Sequence, residues 1–253
     1  MGSEMELSKR LQAAANLLSQ GVSVADIGCD HGFLSIELVK SGKAPYCIAM
    51  DINRGPLERA REHIAREGLS TYIETRLSDG AKGLRFHENE EGSKRLEAEA
   101  ALLAGMGGRL MIRIIEDSLE KFLAMKEFVL QPQSDVQSVR RFIRQIGLRI
   151  TAEDMVLEEG KFYPMMKVEK QENQRQQPLI KHDQKLFDCY GELLLKTRHL
   201  VLKEFLLREE GSYQEVLGQL QKQNSLRSCR RREEIERILF DIRQGLERYY
   251  DEV

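Results

Sequence analysis

Residues 26–32 read Asp26-Ile27-Gly28-Cys29-Asp30-His31-Gly32, an acid followed by two glycines four apart. Gly28 and Gly32 let the chain turn sharply and let a ligand approach where a Cβ would collide. Asp51 lies about 20 residues beyond this turn, where a carboxylate can accept hydrogen bonds from both hydroxyls of a ribose. Ser78-Asp79-Gly80 offers another acid. Asp79 can accept from the exocyclic amine of an adenine, or simply close an Asp-Gly turn. Gly105-Met106-Gly107-Gly108 sets three glycines in four residues, which requires unusual torsions or close approach to something. These groups suit a nucleoside-like ligand. The spacing departs from the G-x-G-x-x-G of dinucleotide binders, and the absence of Gly-Lys-Ser/Thr argues against a phosphate-gripping loop.

The elements that must position these residues follow from periodicity. Leu7, Leu11, Ala14, Ala15 and Leu18 mark a helix over 6–19 that carries Arg10, with Gly21 ending it. A β-branched strand from Val22 to Ile27 runs through the glycine turn into a helix from Phe33 to about Lys40. Further strands are predicted at 46–50, 71–77, 98–104 and 128–130. Helices are predicted from Gly55-Pro56 to Gly68, through Leu110 to Leu119, and over 136–146. Arg149–Leu157 and Phe162–Val168 read as a hairpin. Phe86–Glu97 is charged with little apolar period and reads as a surface loop or a short exposed helix. About seven strands with interleaved helices make an α/β, Rossmann-like sheet. An acid two places before the first glycine is similar to the first motif of S-adenosylmethionine (SAM) methyltransferases, whose class I sheet has this strand count.

From Gln171 the chain turns polar, a linker predicted to separate a domain over 1–170 from a helical tail over 171–253. Leu186, Leu193, Leu200 and Leu207 recur every seven residues, Gly211-Ser212 breaks the run, and Ile235 to Tyr249 repeat at helical spacing. Two long helices in an antiparallel coiled-coil hairpin are predicted, within a monomer, with Leu226–Arg232 as a basic cluster between them. Formal net charge is −2, so RNA binding would rest on local patches. Cys29, Cys47, Cys189 and Cys229 are scattered and form neither a metal site nor a disulfide framework. No apolar stretch is long enough to span a membrane, and no leader pattern opens the chain, which places the protein in the cytoplasm.

Together, residues 26–32, Gly55-Pro56, Ser78-Asp79-Gly80, Ala104–Gly108, Leu130-Gln131-Pro132, Gly160-Lys161-Phe162-Tyr163 and the helical tail closely resemble the bacterial TrmK family. Those proteins are SAM-dependent tRNA (adenine-22-N1)-methyltransferases. Where that family usually has Ser/Thr-Asp-His-Ala-Tyr in the first turn, this chain has Cys29-Asp30-His31-Gly32-Phe33. Gln133 stands where Asn usually follows Leu-Gln-Pro.

The resemblance implies that Gly28, Asp51, Asn53 and Asp79 contact SAM, with Asp26, Ser78, Gly80, Gly105, Met106 and Gly107 in the same glycine-and-acid edge. It implies that Arg10 meets the methionine carboxylate, that His31 lies beside it, and that Asp30 is the catalytic acid group near the target base. No metal is implied. The tail would grip tRNA. Two other readings share these residues: methylation of another RNA position or a small molecule, and a silent SAM-fold protein that binds RNA. Intact Asp51, Asp79 and the glycine turns speak against the silent protein. Gly105–Gly108 lacks the Asn/Asp-Pro-Pro-aromatic group of N6-adenine enzymes, which disfavours that chemistry.

Overall fold

The computed structural model describes residues 7–88, 92–170, 181–221 and 225–250, without side-chain detail at 181 and 182. The chain divides into two compact units, Met1–Gln176 and Gln177–Val253. The polar stretch from Gln171 to Pro178 lies outside the described residues.

The first unit opens with α1 (Lys9–Leu17), β1 (Val24–Ile27), α2 (Phe33–Lys40), β2 (Cys47–Asp51), α3 (Arg54–Arg66) and β3 (Ile73–Leu77). It continues with β4 (Phe86–Glu88), β5 (Lys94–Leu96), β6 (Ala100–Ala104), α4 (Gly108–Glu116), α5 (Leu119–Ala124) and β7 (Glu127–Gln131). It closes with α6 (Val136–Gln145), β8 (Leu148–Glu158) and β9 (Lys161–Lys170). The sheet order is β3-β2-β1-β6-β7-β9-β8, with only β9 running against the others. Chain order reverses between β1 and β6, so the crevice there, at the carboxyl ends of the strands, is where a ligand is expected. Asp51, Gly105, Gln131 and Glu158 all fall on that edge.

The central strands are buried on both faces. Leu103, Leu130 and Ile27 pack toward α4, α5 and α6, while Leu102, Val129 and Val24 pack toward α1, α2 and α3. This period-2 split explains why these strands read as continuous apolar runs. The β8–β9 hairpin turns on Glu159 (φ 50°) and Gly160 (φ 76°), the two positive φ values of a type I′ turn.

Three local expectations change. The segment expected as a loop or an exposed helix instead holds β4 and β5, which pair as a small antiparallel ribbon, and Arg76 reaches Glu97 beside it; residues 89–91 lie outside the described residues. The helix predicted through Leu110 to Leu119 is two helices, interrupted at Ser118. The first helix stops at Leu17, before Gly21, which takes φ 81° in the turn after it. The start expected at Glu6 lies outside the described residues.

The second unit contains α7 (Lys181–Tyr190), α8 (Glu192–Lys196), α9 (Leu200–Leu220) and α10 (Leu226–Tyr249). Here α9 runs unbroken through Gly211-Ser212, so the expected break there is corrected. The chain instead breaks at Gly191 (φ 91°) and Arg198 (φ 52°), which separate α7, α8 and α9. The seven-residue leucine repeat holds only in its first half: Leu186 is buried and Leu193 half-buried, but Leu200 is 80% and Leu207 51% exposed, and Leu194, Leu195, Leu202 and Leu206 are buried instead. The basic cluster at 226–232 forms the first turns of α10 rather than a connection. Ser225 caps that helix in a reciprocal pair with Ser228. Leu206 packs beside Gly245, its Cδ1 3.6 Å from where a Cβ would lie, and Arg243 pairs with Glu210 at 2.8 Å.

Candidate functional site

The β1–α2 turn is built on left-handed backbone at Gly28 (φ 81°), Asp30 (φ 49°) and Gly32 (φ 73°). The N–H groups of Gly28 and Cys29 both donate to the Met50 carbonyl, at 2.8 and 2.9 Å, which ties the turn to the end of β2. A Cβ on Gly28 would lie 2.8 Å from Met106 Cε, so the two glycine turns meet face to face across the switch point. A Cβ on Gly32 would press on Ala60 at 3.0 Å, so Gly32 serves the packing of α2 on α3.

The Asp51 carboxylate stands at the end of β2, held by two backbone donors. Asn53 N–H donates to Oδ1 at 2.8 Å and Asp30 N–H to Oδ2 at 3.3 Å. Asn53 thus contributes its main chain here. The Asp30 side chain is 70% exposed, and its Oδ1 lies 3.5 Å from His31 Nε2. Gly32, not Asp30, precedes α2 as its cap residue, and no side chain caps that helix. An aspartate in left-handed backbone with a largely exposed carboxylate is the kind of strain found at functional sites. His31 accepts from Arg59 Nε at 3.2 Å and lies in a ladder of rings, His31–Phe33–His63, with centroids 5.4 and 4.8 Å apart.

Asp26 sits a layer below. It is 3% exposed and accepts from Ser35 Oγ at 2.7 Å, so it fastens α2 to β1. Ser78 and Gly80 also build rather than bind: Ser78 Oγ donates to the Gly80 carbonyl at 2.8 Å and accepts from Gly83 N–H at 2.9 Å. The turn they form presents Asp79, whose carboxylate meets Lys82 Nζ at 2.5 Å. That contact holds Asp79 below the usual carboxylate range. Lys82 also reaches Asp117 at 3.2 Å.

The glycines after β6 divide by role. Gly105 takes φ 80° and leaves open backbone beneath Arg10. Gly107 and Gly108 are packing glycines: Cβ atoms there would lie 3.0 Å from Ser134 Oγ and 2.5 Å from the Ser134 carbonyl. Arg10 reaches this edge from α1. Its Nη1 donates to Gln131 Oε1 at 3.2 Å, its Nε lies 3.9 Å from Glu158 Oε2, and its guanidinium stands 5.6 Å from the Tyr163 ring centre. Gln131, Glu158, Tyr163, Lys82 and Phe33 are site neighbours to which sequence reasoning gave no role. The Leu-Gln-Pro and Gly-Lys-Phe-Tyr segments were the signal for two of them, Gln131 and Tyr163. Among the described residues no group of three or more His, Cys, Asp or Glu is arranged to hold a metal ion, and no helix is long and apolar enough to cross a membrane.

The strand order, the glycine-lined switch point and the acid ending β2 define a SAM-dependent methyltransferase domain. The sequence pattern of the family described as "Methyltransferase domain" matches residues 7–166. A Bacillus subtilis (strain 168) relative, named tRNA (adenine(22)-N(1))-methyltransferase, is 32% identical over 166 residues, covering 66% of this chain and 66% of that one. The crystal structure of a Streptococcus pneumoniae putative tRNA (m1A22) methyltransferase matches with TM-score 0.80 and 30% identity, over 95% of this chain and 100% of that one. The same protein solved in complex with S-adenosyl-L-methionine matches with TM-score 0.77 and 29% identity, over 95% and 100% of the two chains. The B. subtilis m1A22 tRNA methyltransferase TrmK matches with TM-score 0.78 and 25% identity, over 96% of this chain and 100% of that one. The chain belongs to the TrmK family.

Proposed function

We propose that this protein transfers a methyl group from SAM to N1 of adenine 22 in tRNA. The observation that carries the reading is the juxtaposition, at the switch point, of two left-handed glycine turns, at Gly28 and Gly105, with two acids of different character. Asp51 is buried and held by backbone donors, while Asp30 is exposed in strained backbone. The relatives named for this reaction support the substrate.

The residues present fit the donor. Asp51 would accept from the ribose hydroxyls and Asp79 from the adenine amine, the turns at Gly28 and Gly105 would present main chain along the middle, and Arg10 would receive the carboxylate of the amino-acid part. Bound SAM supplies a methyl group already activated on a sulfonium. The chain therefore has to position and to stabilise charge, rather than form covalent intermediates. Adenine N1 has a free lone pair and needs no prior deprotonation. The ring becomes cationic as the bond forms, and the Asp30 carboxylate offsets that charge. N1 lies on the Watson–Crick edge, so the base is swung out of its stack to reach the crevice. The helical unit grips tRNA shape and backbone. Antiparallel α9 and α10 pair within one chain, which supports a monomer, and a tRNA substrate supports a cytoplasmic location.

The test is a nucleoside digest of unmodified tRNA treated with enzyme and SAM, read by mass spectrometry. New 1-methyladenosine is expected. N6-methyladenosine, or methylated small molecules only, would replace this reading.

A further inference from the structure

Arg10 arrives at the glycine edge on a helix, yet residues of three strands hold its head group. Gln131 on β7 accepts from Nη1 at 3.2 Å. Tyr163 on β9 lies under the guanidinium at 5.6 Å, within reach of a cation–π attraction. Glu158 at the end of β8 stands 3.9 Å from Nε and accepts from the Lys9 N–H at 2.6 Å, which pins the start of α1 beside it. Arg10 Nη1 is left 3.5 Å from the position a Gly105 Cβ would fill.

Gln131 is the centre of this arrangement. It is fully buried, and its Oε1 accepts from both Arg10 and the Gly105 N–H, the latter at 3.1 Å. Two donors on one oxygen fix which way the amide points. One neutral oxygen therefore sets the register of the cation against the bare backbone. Neutrality matters because Glu158 already stands 3.9 Å from the guanidinium: a second carboxylate at position 131 would satisfy both donors equally well but would offset more of the charge that Arg10 carries to the crevice. Buried Gln131 Nε2 has no hydrogen-bond partner among the described residues, so the amide is kept for its oxygen and its lack of charge at the expense of an idle donor.

We propose that Gln131 and Tyr163 are positioning residues that aim the Arg10 guanidinium over Gly105 to receive the donor's carboxylate. This rests on the reading of the edge as a SAM site. With the ribose at Asp51 after β2, a donor crossing the switch point brings its amino-acid end to β6, where Gly105 and Arg10 meet.

The test compares two ligands by calorimetry on the full chain: S-adenosylhomocysteine, which has the amino-acid carboxylate, and methylthioadenosine, which lacks it. Gln131→Met should weaken S-adenosylhomocysteine about tenfold and leave methylthioadenosine unchanged. Gln131→Glu keeps both accepted hydrogen bonds and should weaken S-adenosylhomocysteine at least as much, through charge alone. Tyr163→Leu, which leaves Gln131 in place, should lose a few-fold on the same ligand only. Equal loss of both ligands would mark these residues as merely structural, and unchanged binding of S-adenosylhomocysteine would remove them from the site; either overturns the proposal. Arg10→Met separates the underlying reading. If it binds both ligands as the unaltered chain does, the carboxylate anchor itself is wrong; if it alone loses S-adenosylhomocysteine, the anchor stands and the positioning claim fails.

Discussion

The backbone N–H of Asp30 donates to Asp51 Oδ2 at 3.3 Å, so the acid proposed to act on the base is fastened by its main chain to the acid proposed to hold the ribose. The two carboxylates thereby point to different tasks from one hinge. Moving the Asp30 side chain need not disturb the Asp51 pocket.

Asp30→Asn is the substitution that isolates charge, because asparagine tolerates the φ of 49° that alanine would strain. Turnover should fall about 100-fold, the scale for losing one preorganised electrostatic contact. Affinity for S-adenosylhomocysteine should stay within about threefold. Single-turnover kinetics with calorimetry measures both, and full activity would remove Asp30 from the mechanism.

Gly28→Ala combines a left-handed φ of 81° with a Cβ only 2.8 Å from Met106 Cε. Gly147→Ala has the same torsional penalty at φ 77° but open space around it, and lies at the opposite end of the sheet, before β8. Each should cost about 1–2 kcal/mol and lower Tm by several degrees. Only Gly28→Ala should also lose donor binding. Equal affinities in the two variants would argue that the turn does not face the ligand.

Burial pushes the Asp26 carboxyl up from 3.8 to about 6, against the hydrogen bond from Ser35, with Asp51 adding to the rise. The folded chain then keeps a proton that the unfolded chain has released, so this group's contribution to stability falls as pH rises from about 4 to about 6, and stays low above that. Asp26→Asn keeps an oxygen for Ser35 and removes the charge. Its stability advantage over the parent should be small near pH 4 and reach a plateau above pH 6, on the order of 3 kcal/mol at most, with Tm rising in step. Thermal melts across that range measure it; a constant difference would contradict the assignment.

Truncation after Gln176, where the first unit ends, should leave S-adenosylhomocysteine binding within a few-fold while abolishing methylation of tRNA. Retained tRNA methylation would place substrate recognition within the first unit.

Much of the sheet was legible because strands buried on both faces cannot hide their apolar runs, as at Ala101–Leu103, and because glycine turns mark the edge where chains reverse. The β4–β5 ribbon was missed because its strands are three residues each and mostly charged or polar, and because the Arg76–Glu97 contact beside it is one that periodicity does not register. The leucine heptad misled in the tail because Gly191 and Arg198 reset the helical phase, turning Leu200 and Leu207 outward. In the site, Asp30, Asp51 and Arg10 could be named from residue types and family likeness. The split of Gly105 from Gly107 and Gly108, and the grip of Gln131 and Tyr163 on Arg10, depend on neighbours distant in sequence and required coordinates.

The most direct measurement is primer extension on unmodified tRNA after incubation with enzyme and SAM, since a methyl group on N1 blocks Watson–Crick pairing and halts reverse transcription. The account predicts a new stop at adenine 22, absent when Asp30→Asn replaces the enzyme under the same brief reaction and absent when position 22 is guanine. A stop elsewhere, or an undiminished stop with Asp30→Asn, would contradict it.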